Sequence, residues 1–76
     1  MIYLQEYQKM LEITSEEARK AGVSMFAILG KKRNAKIVKA RHIAMKRLYN
    51  EAGVTYPEIG YFFRRDHSTV IHAVKK

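Results

Sequence analysis

A run of polar and charged residues stands directly before the last apolar segment of the chain. Residues 65–69 read Arg-Asp-His-Ser-Thr. A hydroxyl, an imidazole and a carboxylate could form a nucleophilic triad, but consecutive side chains at a helix start diverge, whereas triad members normally come from separate segments. His67 and His72 are five residues apart, so they do not share a helical face as a zinc-binding pair does. The chain has no cysteine, and we predict no catalytic site, metal or cofactor.

Two other functions remain for this run, helix capping and recognition of a ligand. Asp66 or Ser68 could cap the last helix, which is worth on the order of 1 kcal/mol. Recognition helices also present their first side chains to the edges of DNA bases. Asp66 can accept from a cytosine amino group, and His67 can donate or contact a thymine methyl. Ser68 and Thr69 are short enough to bond a base or a phosphate. One turn can do both.

The positive charge of the chain is concentrated in one segment. The 76 residues carry a formal charge of +8, and residues 31–47 hold eight basic side chains and no acidic one. Self-repulsion in such a block is relieved by a polyanion. A solvated surface would not require the exclusion of acids, so nucleic acid is favoured over a solvated face and over a membrane surface. No apolar run approaches the roughly 20 residues that cross a bilayer, and no secretory signal is evident. We expect a cytoplasmic protein.

Helical spacing and capping signals dominate the N-terminal half. The first dozen residues form an amphipathic pattern. A second helix is predicted to begin at a capping box of Thr14 and Glu17 and to end at Gly22. A third would be capped by Ser24 and closed by Gly30 in a left-handed turn.

The C-terminal half predicts a charged loop and three further helices. Residues 31–34 form the basic loop. A helix over residues 36–50 places Ile37, Ala40, Ala44 and Leu48 on one apolar stripe. Gly53 ends it, Pro57 suits the first turn of the next helix, and the last helix begins near Ser68. The chain is therefore predicted to be all-α, a small helical bundle. Its last two helices have the spacing of a helix-turn-helix, whose second helix enters the major groove.

Three separated blocks occur in an order that is typical of one family. They are R-H-I-A-M at residues 41–45, P-E-I-G at 57–60 and R-D-H-S-T-V-I-H-A at 65–73. These blocks are similar to R-Q-x-A-M, L-P-E-I-G and G-R-D-H-T-T-V-x-H-A in the C-terminal DNA-binding domain of the bacterial replication initiator DnaA. The G-K-K-R at residues 30–33 is similar to the basic loop of that family. The resemblance covers roughly residues 15–76.

The resemblance implies a Trp-repressor-like bundle that binds the DnaA box, a short asymmetric duplex site. In the family the D-H-T-T residues contact the major groove, an arginine of the basic loop enters the minor groove, and two residues of the following helix lie at the phosphate backbone. Carried over position by position, the implied DNA-binding residues are Lys31, Lys32, Arg33, Arg41, His42, Arg65, Asp66, His67, Ser68 and Thr69.

Several departures from the family pattern affect these expectations. Where the family has two glycines before the R-D-H block, this chain has Phe63 and Arg64 and is one residue shorter, which changes the approach of the last helix. Ala40 replaces a proline, and Tyr49 stands where a basic contact is usual. The chain has no phosphate-binding G-x-x-x-x-G-K-[ST] pattern. We expect either an excised domain or a small stand-alone relative, such as a phage or mobile-element protein.

The main prediction is a monomeric, sequence-preferring binder of double-stranded DNA, linked to replication initiation or its regulation. Residues 14–76 would form the DNA-binding domain and residues 1–13 an accessory helix. The alternative is a small interaction module whose N-terminal helix, with Tyr3, Tyr7 and Met10, docks a protein partner or dimerises. Nonspecific binding of RNA or single strands is least favoured, because the chain lacks strand patterns and its aromatic residues fit a core.

Overall fold

Five helices make up the part of the chain that the structure describes. The structure is a computed structural model in which residues 4–75 are described. The helices are α1 (Leu4–Ala21), α2 (Met25–Leu29), α3 (Ala35–Ala52), α4 (Tyr56–Phe63) and α5 (His67–Lys75). No strand occurs in residues 4–75. The prediction of an all-α bundle is confirmed.

Helix α3 is central to the bundle, because it packs against each of the other four helices. The apolar stripe predicted on it is buried along its whole length. The largest fully buried apolar side chains come from all five helices; they are Met10, Ile28, Met45, Leu48, Ile59, Phe63 and Val70. Burying a side chain of this size contributes roughly 1.5–3 kcal/mol. This core fixes α4 and α5, and the polar run at residues 65–69 spans the end of their connection and the start of α5.

The helix boundary predicted at Thr14 is wrong. α1 continues from Leu4 to Ala21, and the buried hydroxyl of Thr14 donates to the carbonyl of Met10 (2.7 Å) one turn earlier. A mid-helix threonine satisfied in this way does not cap a new helix. The end at Gly22, which has a φ of 69°, agrees with the prediction. The division into an accessory segment 1–13 and a domain 14–76 stays a prediction.

Helix α2 begins as predicted but ends differently. The Ser24 side chain accepts a hydrogen bond from the Ala27 amide (3.1 Å) and caps the helix. Gly30 has a φ of −86° and is extended, so the predicted left-handed turn is wrong. A Cβ on Gly30 would lie 2.7 Å from the carbonyl oxygen of Phe26. A glycine is therefore needed here for a close backbone approach, not for a positive φ.

Helix α4 begins with a complete capping box. The Thr55 hydroxyl accepts from the Glu58 amide (3.4 Å), and the Glu58 carboxylate accepts from the Thr55 hydroxyl (2.8 Å) and amide (3.1 Å). Pro57 lies in the first turn, as predicted. The bonds from the Thr55 hydroxyl and then its amide lower the pKa of Glu58 from its ordinary value of 4.5. The start of the helix-turn-helix is thus set by local sequence.

This capping box predicts a pH-dependent stability difference for Glu58→Gln. Because the pKa of Glu58 is lower in the folded chain, its charge stabilises the fold above its ordinary pKa, and this contribution is lost as the pH falls through the lowered value. We expect the wild type to be more stable than the variant near pH 7 and the gap to shrink near pH 3. Urea denaturation at the two pH values measures it. An unchanged gap would contradict the linkage.

Candidate nucleic-acid interface

The recognition turn, residues 64–69, joins α4 to α5 through a tight backbone reversal. Arg64 is in the left-handed region with a φ of 56°, and the Arg65 amide donates to the carbonyl of Gly60 (2.8 Å). A Cβ on Gly60 would lie 2.7 Å from the carbonyl oxygen of Arg65. The glycine of the P-E-I-G block therefore allows the turn to pack directly on α4.

The first residues of α5 lie on the surface. Asp66, His67, Ser68 and Thr69 are all exposed, with 72% of the Asp66 side chain and 62% of the His67 side chain accessible. The next residue, Val70, is fully buried and fixes the helix to the core. All four side chains predicted to contact DNA bases are therefore available to a ligand.

Asp66 organises this exposed turn through both its backbone and its side chain. Its carbonyl accepts from the Thr69 amide (3.0 Å), which begins the helix. Its carboxylate accepts from the Ser68 hydroxyl (3.0 Å), and its other oxygen lies 3.6 Å from Nδ1 of His67. The polar groups thus form one connected set at the tip of α5.

The basic loop also lies on the surface. Lys31, Lys32 and Arg33 are exposed. Asn34 ends the loop by capping α3, since its side-chain oxygen accepts from the Lys36 amide (2.9 Å). The three cationic side chains therefore stand immediately before the first turn of α3.

Arg65 connects the basic loop to the recognition turn. Its guanidinium donates to the carbonyl of Phe63 (2.7 Å) at the end of α4 and to the carbonyl of Gly30 (2.5 Å) directly before the basic loop. The loop and the turn therefore lie on the same flank of the molecule. Arg65 is half-buried, so its guanidinium has a structural role in addition to any contact with a ligand.

Arg41 lies inside the protein, which corrects its expected position at the phosphate backbone. The residue is only 4% exposed. Its guanidinium donates to the carbonyls of Ile28 (2.6 Å), Ala27 (3.0 Å), Gly30 (3.0 Å) and Lys32 (3.1 Å). Burial and then the charge of Arg65 lower the pKa of Arg41 from its ordinary value. A guanidinium held by four carbonyls is not free to bind a phosphate.

A shallow groove runs along α3 beside the basic loop. His42 is half-buried and lines this groove together with three cationic side chains. The groove is lined by Arg33, Ala35, Val38, Lys39, His42, Ile43, Lys46 and Ala73. It places His42 on the same face as Arg33, whereas the neighbouring Arg41 points into the core.

Arg47 is not part of this cationic face, although it belongs to the acid-free block. Its guanidinium pairs with Glu17 (2.8 Å), Glu51 (2.8 Å) and Glu16 (3.3 Å). Hydrogen bonds to Glu51 and then Glu17 raise its pKa. The contacts with Glu16 and Glu17 join α3 to α1. Arg64, which was not among the predicted DNA-binding residues, is exposed within the recognition turn. An arginine in place of a glycine of the family pattern marks this position.

Within residues 4–75, no three histidine, cysteine or acidic side chains cluster as metal ligands. No helix in that range combines the length and apolar character that crossing a membrane requires.

Comparison with known proteins identifies the family. Residues 10–76 match the family described as bacterial dnaA protein helix-turn-helix. The chromosomal replication initiator protein DnaA of Mycoplasma capricolum is 46% identical over 70 residues, which is 91% of this chain. The proteins of that name from Acholeplasma laidlawii and Deinococcus radiodurans are 39% and 38% identical over 92% and 90% of the chain.

The match covers nearly all of this chain but a small part of each relative. The chain spans 15% of the length of these initiator proteins. No solved structure matches it. The turn, the exposed start of α5 and the basic loop all fall within the matched residues, and the chain belongs to the bacterial DnaA helix-turn-helix family.

Proposed function

We propose that this chain binds double-stranded DNA with a preference for sequence, as a non-catalytic module in replication initiation or its regulation. The observation that carries the proposal is the bond from Arg65 to Gly30, because it holds the basic loop beside the recognition turn. A helix in the major groove and a loop in the adjacent minor groove require that placement. The relatives, chromosomal replication initiators by name, support the same function, and the protein would act in the cytoplasm.

Each exposed element has its own part in the proposed complex. Asp66, His67, Ser68 and Thr69 would enter the major groove, where hydrogen-bond patterns differ between base pairs. Arg33 would enter the minor groove. Lys31, Lys32 and His42 would contact phosphates, which supply affinity but not sequence information. Arg41, which the structure buries, has no direct contact in this proposal.

Selection of sites from random duplex DNA tests the sequence preference. We expect one preferred sequence for the wild type. His67→Ala should relax the preference, with a loss of about 1–3 kcal/mol of discrimination at the contacted base pair. Lys36→Ala, which changes an exposed residue of α3, should weaken binding to all duplexes about equally. Selection of no sequence by the wild type would reject sequence-preferring binding.

The salt dependence of binding tests the phosphate contacts. Each phosphate neutralised lowers log K by about 0.9 per log unit of salt. Lys32→Ala should therefore reduce the slope by about one unit. Lys9→Ala is the matched control, since it removes one charge from an exposed position on α1 near Glu51, at the end of α3 opposite the basic loop. Equal slopes for Lys32→Ala and the wild type would place the loop outside the interface.

A second candidate function is the docking of a protein partner, and a group of exposed aromatic residues favours it. Phe26 is 91% exposed and Tyr61 is 83% exposed, and both line one groove with Tyr7. Met10, expected on this surface, is fully buried, and Tyr3 lies outside the described residues.

We propose a monomer in free solution. A concentration-dependent sedimentation coefficient that Phe26→Ser abolishes would instead support self-association through this groove.

A further inference from the structure

We propose that Arg41 positions the basic loop for DNA and does not touch DNA itself. Its side chain would determine how much Arg33 contributes to binding, although the two residues belong to different segments. This inference rests on the proposed DNA-binding function and deepens it, because it assigns a binding role to a buried residue.

The first observation is the set of groups that Arg41 holds. Its guanidinium donates to four carbonyls in two consecutive segments. Two of them, those of Ala27 and Ile28, belong to α2, and the other two, those of Gly30 and Lys32, lie directly before and within the basic loop. α2 has only five residues, and the last carbonyls of any helix lack partners within it. The guanidinium supplies those partners. It therefore fixes the end of α2 and the entry of the loop at once.

The second observation is that the loop lacks backbone support of its own. Among the residues that the structure describes, no hydrogen bond outside the helices joins two backbone groups within residues 31–33. The bond from Arg41 to the Lys32 carbonyl lies directly before Arg33, and the Asn34 cap lies directly after it. The position of Arg33 is thus set by one contact on each side, and Arg41 makes the first.

The third observation is that α3 and the recognition turn donate to one acceptor directly before the loop. The carbonyl of Gly30 accepts from both Arg41 and Arg65. Arg65 belongs to the turn and Arg41 to α3, so this carbonyl ties the loop to both elements that face the duplex. The start of the loop is thereby fixed relative to the recognition turn, as simultaneous contact with two adjacent grooves requires.

Lysine cannot replace arginine in this position. A guanidinium is planar, presents five donors in a fixed fork and loses less hydration energy on burial than an ammonium group. Arg41→Lys keeps the positive charge but cannot reach four carbonyls. The variant therefore separates the charge of Arg41 from its geometry.

A double-mutant cycle on the selected duplex tests the inference. Arg33→Ala should weaken binding about tenfold in the wild-type background, a typical effect for a groove contact. In the Arg41→Lys background it should weaken binding less than about twofold, because Arg33 is no longer positioned. His67→Ala is the control. It should keep its full effect in both backgrounds, since α5 is fixed by the core, whereas general destabilisation would reduce both effects.

If Arg33→Ala loses tenfold in both backgrounds, Arg41 does not position Arg33 and the inference is overturned. If the wild type binds no duplex, the proposed function fails as well. Circular dichroism checks that Arg41→Lys is folded. If it is not, the cycle is repeated with Arg41→Gln, whose amide can still donate to part of the four carbonyls; coupling to Arg33 supports the inference and additivity overturns it.

Discussion

Gly60→Ala is expected to destabilise the fold by about 3 kcal/mol, the upper end of the range for overpacking. The added Cβ would lie 2.7 Å from the carbonyl oxygen of Arg65 and within 3.5 Å of the His67 backbone. All three contacted atoms belong to the backbone, so no flexible side chain can move aside. The recognition turn must shift as a unit, and the bond from the Arg65 amide to the Gly60 carbonyl (2.8 Å) shifts with it. Urea denaturation measures the loss.

Gly53→Ala is the matched control for this substitution. Gly53 has a φ of 66° and no atom within 4 Å of its added Cβ. Its replacement strains only the backbone, at about 1–2 kcal/mol. The two variants should also differ in DNA binding. Well below the melting temperature, Gly60→Ala should lose its preferred duplex, because α5 is displaced, whereas Gly53→Ala should keep it. A Gly60→Ala variant no less stable than Gly53→Ala would show that the turn does not pack closely on α4.

Features that depend on neighbouring residues could be predicted from the sequence. The Ser24 cap, the end of α3 at Gly53 and the position of Pro57 all result from groups within one or two helical turns. The exposure of Asp66 through Thr69 is similarly local, since these residues stand between a tight turn and a buried valine. Local hydrogen-bond chemistry is visible in sequence because the partner is only a few residues away.

Features that depend on distant partners were missed. Arg41 bonds to carbonyls 9 to 14 residues away, and Arg47 pairs with Glu17 30 residues away. The same distance explains the error at Thr14, where Glu17 looked like a capping partner but is bound to Arg47. The burial of Arg41, however, could have been predicted from the sequence. Arg41 is four residues from the buried Ile37 and Met45, so helical periodicity alone places it on the inner face.

Arg47→Met is expected to destabilise the fold by about 3 kcal/mol, the lower end of the range for a buried charge that loses its partner. The side chain of Glu17 is only 6% exposed, and Arg47 lies 2.8 Å from its carboxylate. Without Arg47, the carboxylate keeps its ion pair with Lys20 at 3.3 Å, whose side chain is mostly exposed. The carboxylate would stay largely desolvated and weakly paired. Urea denaturation near pH 7 measures the effect.

The double variant Glu17→Met/Arg47→Met separates this explanation from a loss of packing. An apolar pair of similar volume often replaces a buried ion pair without loss, so the double variant should recover most of the stability. A double variant as unstable as Arg47→Met would show that packing, not the unpaired carboxylate, is responsible. Glu51→Ala should have a much smaller effect, because its carboxylate is exposed.

Arg47→Met also tests which members of the acid-free block lie in the proposed DNA interface. Arg47 and Lys46 are adjacent in sequence, but Arg47 contacts three carboxylates, whereas Lys46 lines the groove with Arg33 and His42. Lys46→Ala should reduce the salt slope of DNA binding by about one unit with little change in stability. Arg47→Met should reduce stability and leave the slope unchanged. The reverse result would mean that the positive block binds DNA through a different face of α3.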